Sequence, residues 1–403
     1  MVATTKTFNN DLYDANNYPF TTGVVEISTD TGYRGTGALL YDGRSILTAA
    51  HIFGNSTEVS VTFEQSNGTR TQRDASKITK HPNYDFINDN QDLAIVHLTE
   101  QAPAFAKRYD LYRQDDAIGK IFTFSGYGTP GTGIDGTSTN VFFDKKLIAQ
   151  NRFDTDAGVL KNELGELLAW RPQPDSILVA DFDNGQRSQD ALGQFLGIDD
   201  LGVGQFEGLM TPGDSGGPAF INGQIAGIAS YTSSLESYQS APDVDVYDNS
   251  SFGEQGYWQK TAYSEHQSWI DQTIRQHYQK PPQTPEKIET NINEPAWGET
   301  IINYFLVEFH GVRNDEHWIS VDYQTIDGTA RAGEDYLPVQ GRLVLYPDTD
   351  FAVIPIEILG DSIIENPETF SLEISNPVGG EFAGGSDTLS ASRTIYDYDT
   401  LIA

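Results

Sequence analysis

Cysteine is absent from all 403 residues. Its absence excludes a disulfide framework, a thiol nucleophile, thiolate zinc sites and iron–sulfur clusters. Stability has to come from packed cores or from bound metal. Basic residues are scarce: 25 Lys and Arg stand against 58 Asp and Glu, for a net charge of −33. So acidic a chain is repelled by other polyanions, which argues against nucleic acid and anionic membrane surfaces as partners. Long apolar runs are also missing. None approaches the roughly 18 residues that span a bilayer, so no membrane insertion is expected. Segment 1–10 is polar and lacks the apolar centre of a secretory signal peptide.

What remains is globular in character, with 38% hydrophobic and 21% charged residues. Length sets a soft expectation of two to three domains. Helical periodicity is rare. Short apolar segments at 23–28, 36–41, 45–50, 58–63, 93–98, 121–124, 177–181, 218–221 and 224–231 are separated by Gly, Asn and Asp, and they read as strands and turns. Segment 264–278 reads as a helix, with Ser264 able to cap it and Ile270 (or Trp269), Ile274 and Tyr278 on one face. A weaker helical segment covers 161–168.

Three prolines in Lys280-Pro-Pro-Gln-Thr-Pro-Glu-Lys287 mark a linker. The expected organisation is residues 1–277 as one domain, 278–287 as linker and 288–403 as a second domain. Strand-like segments resume after the linker without a helix, which suggests a β-sandwich. Residues 284–403 hold 22 acidic residues against 5 basic, a net −17. The smaller part therefore carries half of the total charge, which points to a local cause.

Three stretches carry chemistry. Ile46-Leu-Thr-Ala-Ala-His51 is an apolar strand ending in histidine. Asp92 enters the apolar strand Leu93-Ala-Ile-Val-His-Leu98. Ser215 lies in the turn Pro212-Gly-Asp-Ser-Gly-Gly-Pro218. A serine hydroxyl is a weak nucleophile at neutral pH. It needs an imidazole to take its proton and a carboxylate to orient that imidazole. Asp85 and Asp89 are rivals to Asp92, but Asp92 stands directly before the strand. His81 and His97 read as structural histidines.

Residues from about 18 to 270 resemble the trypsin/chymotrypsin-like serine proteases. The likeness rests on Thr48-Ala-Ala-His51, His81-Pro-Asn-Tyr84, Gly213-Asp-Ser-Gly-Gly-Pro218, Gly227-Ile-Ala-Ser-Tyr231 and the closing stretch 256–269. The resemblance implies an all-β fold of two six-stranded barrels of the chymotrypsin type with a C-terminal helix. It also implies a serine endopeptidase with His51 as general base, Asp92 as its orienter and Ser215 as nucleophile. The amides of Gly213 and Ser215 would form the oxyanion hole. Leu209, six residues before the nucleophile, would sit at the base of the specificity pocket, with Thr232 and Gly256 on its walls. Apolar side chains are then the expected preference, and Ser230 and Thr232 would offer backbone groups to an extended peptide.

The sequence departs from that family in three ways. Many members use several disulfides, although bacterial members often lack them. Additional chain lies between about 144 and 208, and its Asp-rich part 181–190 reads either as a solvated loop or as a cation site. No Ile-Val-Gly-Gly-like segment is found at 8–18, so Asp214 needs another partner than the usual activation amine.

Residues from about 288 to 400 resemble a Calx-beta domain, an immunoglobulin-like β-sandwich. The matching stretches are Asn293-Glu-Pro, Asp327-Gly-Thr-Ala330, Ala332-Gly-Glu-Asp-Tyr336, Gly360-Asp-Ser-Ile-Ile-Glu-Asn-Pro-Glu-Thr-Phe370 and Thr394-Ile-Tyr-Asp-Tyr-Asp399. The resemblance implies Ca²⁺ ligation by Glu294, Asp327, Asp361, Glu365, Glu368, Asp397 and Asp399, while catalysis needs no cofactor. Gly360 and Tyr398 stand where strong calcium binders often have Asp. The expected partners are a protein or peptide substrate and, for the second domain, a surface or protein. Millimolar calcium is extracellular, so the expected setting is extracellular or the cell surface. The alternative reading is an inactive protease homologue that serves in adhesion or binding.

Overall fold

The structure is a computed structural model that describes residues 2–7, 9–137, 145–165, 169–237, 240–313 and 318–397. The chain forms two compact units, Met1–Gln276 and His277–Ala403.

Six strands of the first unit close a barrel: β1 (Val24–Thr29), β2 (Arg34–Leu39), β3 (Ser45–Thr48), β4 (Val59–Glu64), β5 (Arg70–Lys80) and β6 (Ala94–Leu98). Their order around the barrel is β1-β2-β3-β6-β5-β4, and β4 pairs back onto β1 with Ile27 opposite Val61. β4 shows why it is a strand. Val59, Val61 and Phe63 point into the core, and the β-branched Thr62 sits between them at the surface. Val25, Ile27, Leu39, Ile46, Val61, Phe63 and Val96 fill the interior.

A second set comprises β7 (Ile121–Gly126), β8 (Leu147–Arg152), β9 (Ile177–Asp181), β10 (Pro218–Ile221), β11 (Gln224–Ser234) and β12 (Glu254–Lys260), ordered β8-β7-β10-β11-β12-β9. Closure comes through an interrupted strand. Residues Thr155–Asp156 follow β8 after only Phe153 and Asp154, and they pair with Val179 and Leu178 of β9. The two edges of the sheet are thus consecutive in the chain. The Asn151 amide bridges the gap by donating to the carbonyls of Asp181 and Gly208. The core here is aromatic. Phe122 stacks on Phe153 at 3.9 Å and meets Trp258 edge-on at 4.9 Å. With no disulfide available, such packing holds the barrel. Phe122→Ala is expected to destabilise this unit by about 3–5 kcal/mol, read from the denaturant midpoint of its transition.

Among the described residues, three α-helices complete the unit: α1 (Ala157–Leu164), α2 (Ala191–Leu196) and α3 (Ser264–Arg275). The helix expected at 161–168 begins earlier, because the Asp156 carboxylate caps the amides of Gly158 and Val159; residues 166–168 lie outside the described set. α3 buries Ile270 and Ile274 as expected, but it ends at Arg275, before Tyr278. Ser264 is its first helical residue and not its cap; Tyr263 holds the cap position and makes no side-chain capping bond. α3 is tied down instead by Arg113, which donates to Asp271 Oδ2 at 2.8 Å. His81 packs edge-on against Trp269 of α3 at 4.8 Å, and the His97 ring lies 3.3 Å from Ser45 Oγ.

The second unit is a sandwich. One sheet orders β13 (Asn291–Asn293), β19 (Thr388–Tyr396), β18 (Glu368–Val378), β15 (Ile319–Asp327) and β16 (Gln340–Leu345). The other pairs β14 (Thr300–Glu308) with β17 (Phe351–Leu359). Phe305, Tyr336, Ile354, Ile356, Phe370 and Leu372 are among the residues packed between them. Arg393 crosses the layers. Its guanidinium lies 3.8 Å over the Phe305 ring and donates to Asn303 Oδ1 and Tyr304 O.

Candidate active site

β3 delivers His51 to a short helical turn, His51–Phe53, and β6 is entered through Asp92. Because β3 and β6 are neighbours, with Thr48 opposite Ala94, the two side chains meet at the same barrel end. His51 Nδ1 donates to Asp92 Oδ2 at 2.7 Å, and the His51 amide donates to Asp92 Oδ1 at 2.9 Å. Asp92 is fully buried. A third donor reaches it from the other barrel: Ser230 Oγ gives a 2.5 Å bond to Oδ2. Ser230 stands at a register shift of β11, between Ala229 opposite Trp258 and Tyr231 opposite Tyr257. That irregularity turns its hydroxyl toward Asp92. From the sequence, Ser230 is expected to offer only its backbone to a peptide.

Asp85 and Asp89, the rivals, sit otherwise. Asp85 accepts from the Ile87 amide and the Asn88 side chain. Asp89 lies near enough to act by charge: burial and then the Asp92 charge push its carboxyl up to about 6. Burial of the His51 ring pulls its pKa down. The charge and hydrogen bond of Asp92, helped by Asp89, outweigh this and leave it raised above the ordinary 6.5. Donation from Nδ1 leaves the lone pair on Nε2.

The serine turn is pressed against the histidine's strand. Gly216 has φ +83°, and a Cβ there would sit 2.0 Å from Thr48 Oγ1 and 2.8 Å from the Ala49 amide. Only glycine allows that approach. The Ser215 carbonyl accepts from the Thr36 amide at 2.8 Å. Within 213–217, the amides of Asp214, Gly216 and Gly217 donate to the carbonyls of Thr211, Ala229 and Asp214. Those of Gly213 and Ser215 have no acceptor among the described residues. Two unspent donors flanking a serine are what a developing oxyanion requires. Asp214 is buried and holds this turn, accepting from Gly128 N at 2.8 Å and from both the amide and hydroxyl of Thr211.

Leu209, Thr232 and Gly256 also come together. Thr232 pairs with Gly256 across β11 and β12, and a Cβ at Gly256 would sit 2.9 Å from Leu209 Cδ1. Leu209 is fully buried, and Ala3 of the strand Val2–Thr4 is its register partner.

In the second unit, Glu294, Asp361, Glu365, Glu368 and Asp397 occur in one acidic neighbourhood. Glu294 Oε1 accepts from the Asp361 amide at 2.8 Å, and Asp397 Oδ2 accepts from the Glu365 amide at 2.9 Å. Oxygens of Glu365 and Glu368 fall within 4.8 Å of one from Asp335, a residue that is not among the ligands expected from the sequence. Burial first, then the surrounding carboxylates, pushes Glu294, Glu365 and Glu368 upward. Asp327 is engaged otherwise: its Oδ1 accepts from the Tyr336 hydroxyl at 2.5 Å and from the Ala332 amide. Asp399 lies outside the described residues. Gly360 has a steric reason: a Cβ there would meet the Pro295 carbonyl at 2.2 Å, so an aspartate does not fit this backbone.

Comparison with known proteins matches the two units separately. The Trypsin family model matches residues 9–156, a span that includes His51 and Asp92 and stops before Ser215. The Calx-beta domain model matches residues 300–399. Human serine protease 1 is 22% identical over 213 residues, 51% of this chain and 72% of that protein. The fruit-fly sodium/calcium exchanger Calx is 38% identical over 63 residues, 16% of this chain; the chain spans only 7% of the exchanger's length. The structure of mouse neuropsin, a serine protease, aligns with a TM-score of 0.45 at 18% identity, over 64% of this chain and 96% of that one. Two family models thus match separate parts of the chain, Trypsin at residues 9–156 and Calx-beta domain at residues 300–399.

Proposed function

We propose that this protein is a serine endopeptidase with a calcium-binding accessory module. The observation that carries the reading is the chain Ser230–Asp92–His51, set beside a serine turn with two undonated amides. Asp92 keeps the His51 proton on Nδ1. Nε2 is then free to take the Ser215 proton as Oγ attacks a peptide carbonyl. The new C–O bond gives a tetrahedral oxyanion, which the amides of Gly213 and Ser215 stabilise. Its collapse breaks the C–N bond, and His51 passes the proton to the departing amine. Water, deprotonated by His51, then attacks the acyl-enzyme and frees Ser215.

Substrate choice follows from Leu209. An aspartate at that place would attract Lys or Arg; a buried leucine offers only apolar contact. Peptides with small to medium apolar residues before the scissile bond are the expected substrates. A matched peptide panel tests this. Preference for apolar residues supports the assignment, and cleavage after Arg or Lys as good as after the best apolar residue overturns it.

For the second unit, the donor set fits Ca²⁺, a hard cation that takes six to eight oxygens. Glu294, Asp361, Glu365, Glu368 and Asp397 would hold it, with Asp335 joining them, and its charge would offset their mutual repulsion. The protease domain then spans residues 1–277, the linker 278–287 and the calcium module 288–403. Weak sites of this kind fill at millimolar calcium, which favours an extracellular or cell-surface setting, where the module can engage a surface or a protein. Saturating calcium at about 100 Kd adds about 2.7 kcal/mol to the state that binds it. Calorimetric titration should show heat at or below millimolar Ca²⁺, with the component from this end lost in Glu365→Gln/Glu368→Gln. A silent titration contradicts calcium binding.

A further inference from the structure

A second acidic group lies in the first unit. Asp181 ends β9, Asp183 follows it, and Asp190 immediately precedes α2. Oxygens of the three fall within 4.8 Å of one another. These residues are 1%, 3% and 2% exposed, and Asp154 and Glu207 are buried nearby.

Hydrogen bonds account for most of these carboxylates. Asp181 Oδ2 accepts from the Leu192 amide at 2.8 Å, and Asp190 Oδ1 accepts from the Gly193 amide at 2.6 Å. Glu207 accepts from the amides of Asp183 and Val203. Asp183 is different. Its Oδ1 is buried and has no hydrogen-bond partner among the described residues. Among the described residues, no Lys or Arg forms an ion pair with Asp181, Asp183 or Asp190; Arg152 pairs with Asp200 and Arg187 with Asp199. Buried carboxylates with neither donors nor a counter-charge stay ionised only beside a cation. Burial, then the neighbouring carboxylates, pushes Asp183 strongly upward, the sign of a missing positive charge.

We propose that Asp181, Asp183 and Asp190 form a binding site for Ca²⁺, with the orphaned Asp183 oxygen as a ligand. The donors are all oxygen, with no histidine or cysteine, which selects a hard cation. Magnesium dehydrates reluctantly and keeps several waters, so an enclosed carboxylate group suits calcium better. The site would also brace the substrate groove. β9 pairs with β12 so that Ala180 faces Gly256 and Asp181 faces Gln255.

The test uses the full chain, stripped with chelator and dialysed against Ca²⁺ at pH 7.5, with bound ions counted by native mass spectrometry. Asp183→Asn should bind one ion fewer per chain than wild type, and Glu365→Gln/Glu368→Gln should retain that ion. In chelator, Asp183→Asn should melt at or above wild type, because it removes a buried carboxyl that is held at a cost when no cation is present; in calcium it should melt below wild type. A merely structural Asp183 would lower the melting temperature in both conditions. If Asp183→Asn does not fold, Asp181→Asn serves in the same comparison. Unchanged ion number and an unchanged calcium-induced melting shift overturn the proposal. So does a cluster neutralised by protons alone, seen as no calcium effect and a melting temperature that climbs as pH falls.

Discussion

Ser215→Ala is expected to lower kcat for peptide hydrolysis by about 10⁵–10⁶-fold, with KM nearly unchanged. The reason lies in what the hydroxyl does and does not touch. Ser215 Oγ has no hydrogen-bond partner among the described residues, so its removal orphans no buried group and the fold should persist. The nucleophile alone is lost. The amides of Gly213 and Ser215 remain, so a residual rate above the uncatalysed reaction is expected from them and from binding. Loss of activity together with a lowered melting temperature would instead indicate a structural role.

Asp92→Asn should cost about 10⁴-fold in kcat at neutral pH. Asp92 accepts three bonds, from the His51 amide, His51 Nδ1 and Ser230 Oγ. An asparagine that keeps its oxygen toward the His51 amide presents NH₂ to Nδ1. The ring proton then moves to Nε2, where the base is needed. The pH profile reports the same change. With Asp92 in place, the His51 pKa lies above 6.5, so kcat/KM falls as the solution is acidified through that value and is full above it. Removing the charge leaves burial as the dominant influence, which lowers the pKa, so the acid limb should move to lower pH. An acid limb that does not move in Asp92→Asn contradicts the coupling of these residues.

The strands were legible because their signal is local. β4 alternates, β6 is apolar but for His97, and turn residues punctuate the chain around them. The closure of the second barrel was not, because it depends on Phe153 and Asp154 interrupting one strand whose two halves then pair at opposite edges of the sheet. Motifs placed His51, Asp92 and Ser215 in order, but no motif shows the β11 irregularity that turns Ser230 toward Asp92. Nor does sequence show which of two nearby acids the fold will occupy. Tyr336 captures Asp327 from nine residues away, and Asp335 is left beside Glu365 and Glu368. The stretch 181–190 reads as a solvated loop or a cation site. Residues 185–188 are exposed while Asp181, Asp183 and Asp190 are buried, a division that only the packed chain shows. Asp214 is a further case: Thr211 lies three residues before it, but the Gly128 amide reaches it from 86 residues away in the chain.

The central claim is that Ser215 is a nucleophile activated by His51. Covalent labelling with a fluorophosphonate probe, located by peptide mapping, tests it most directly. Intact, calcium-loaded protein should carry the probe on Ser215, and His51→Ala should lose that labelling while remaining folded. A folded wild-type protein that does not react, or that reacts equally well without His51, would contradict the account.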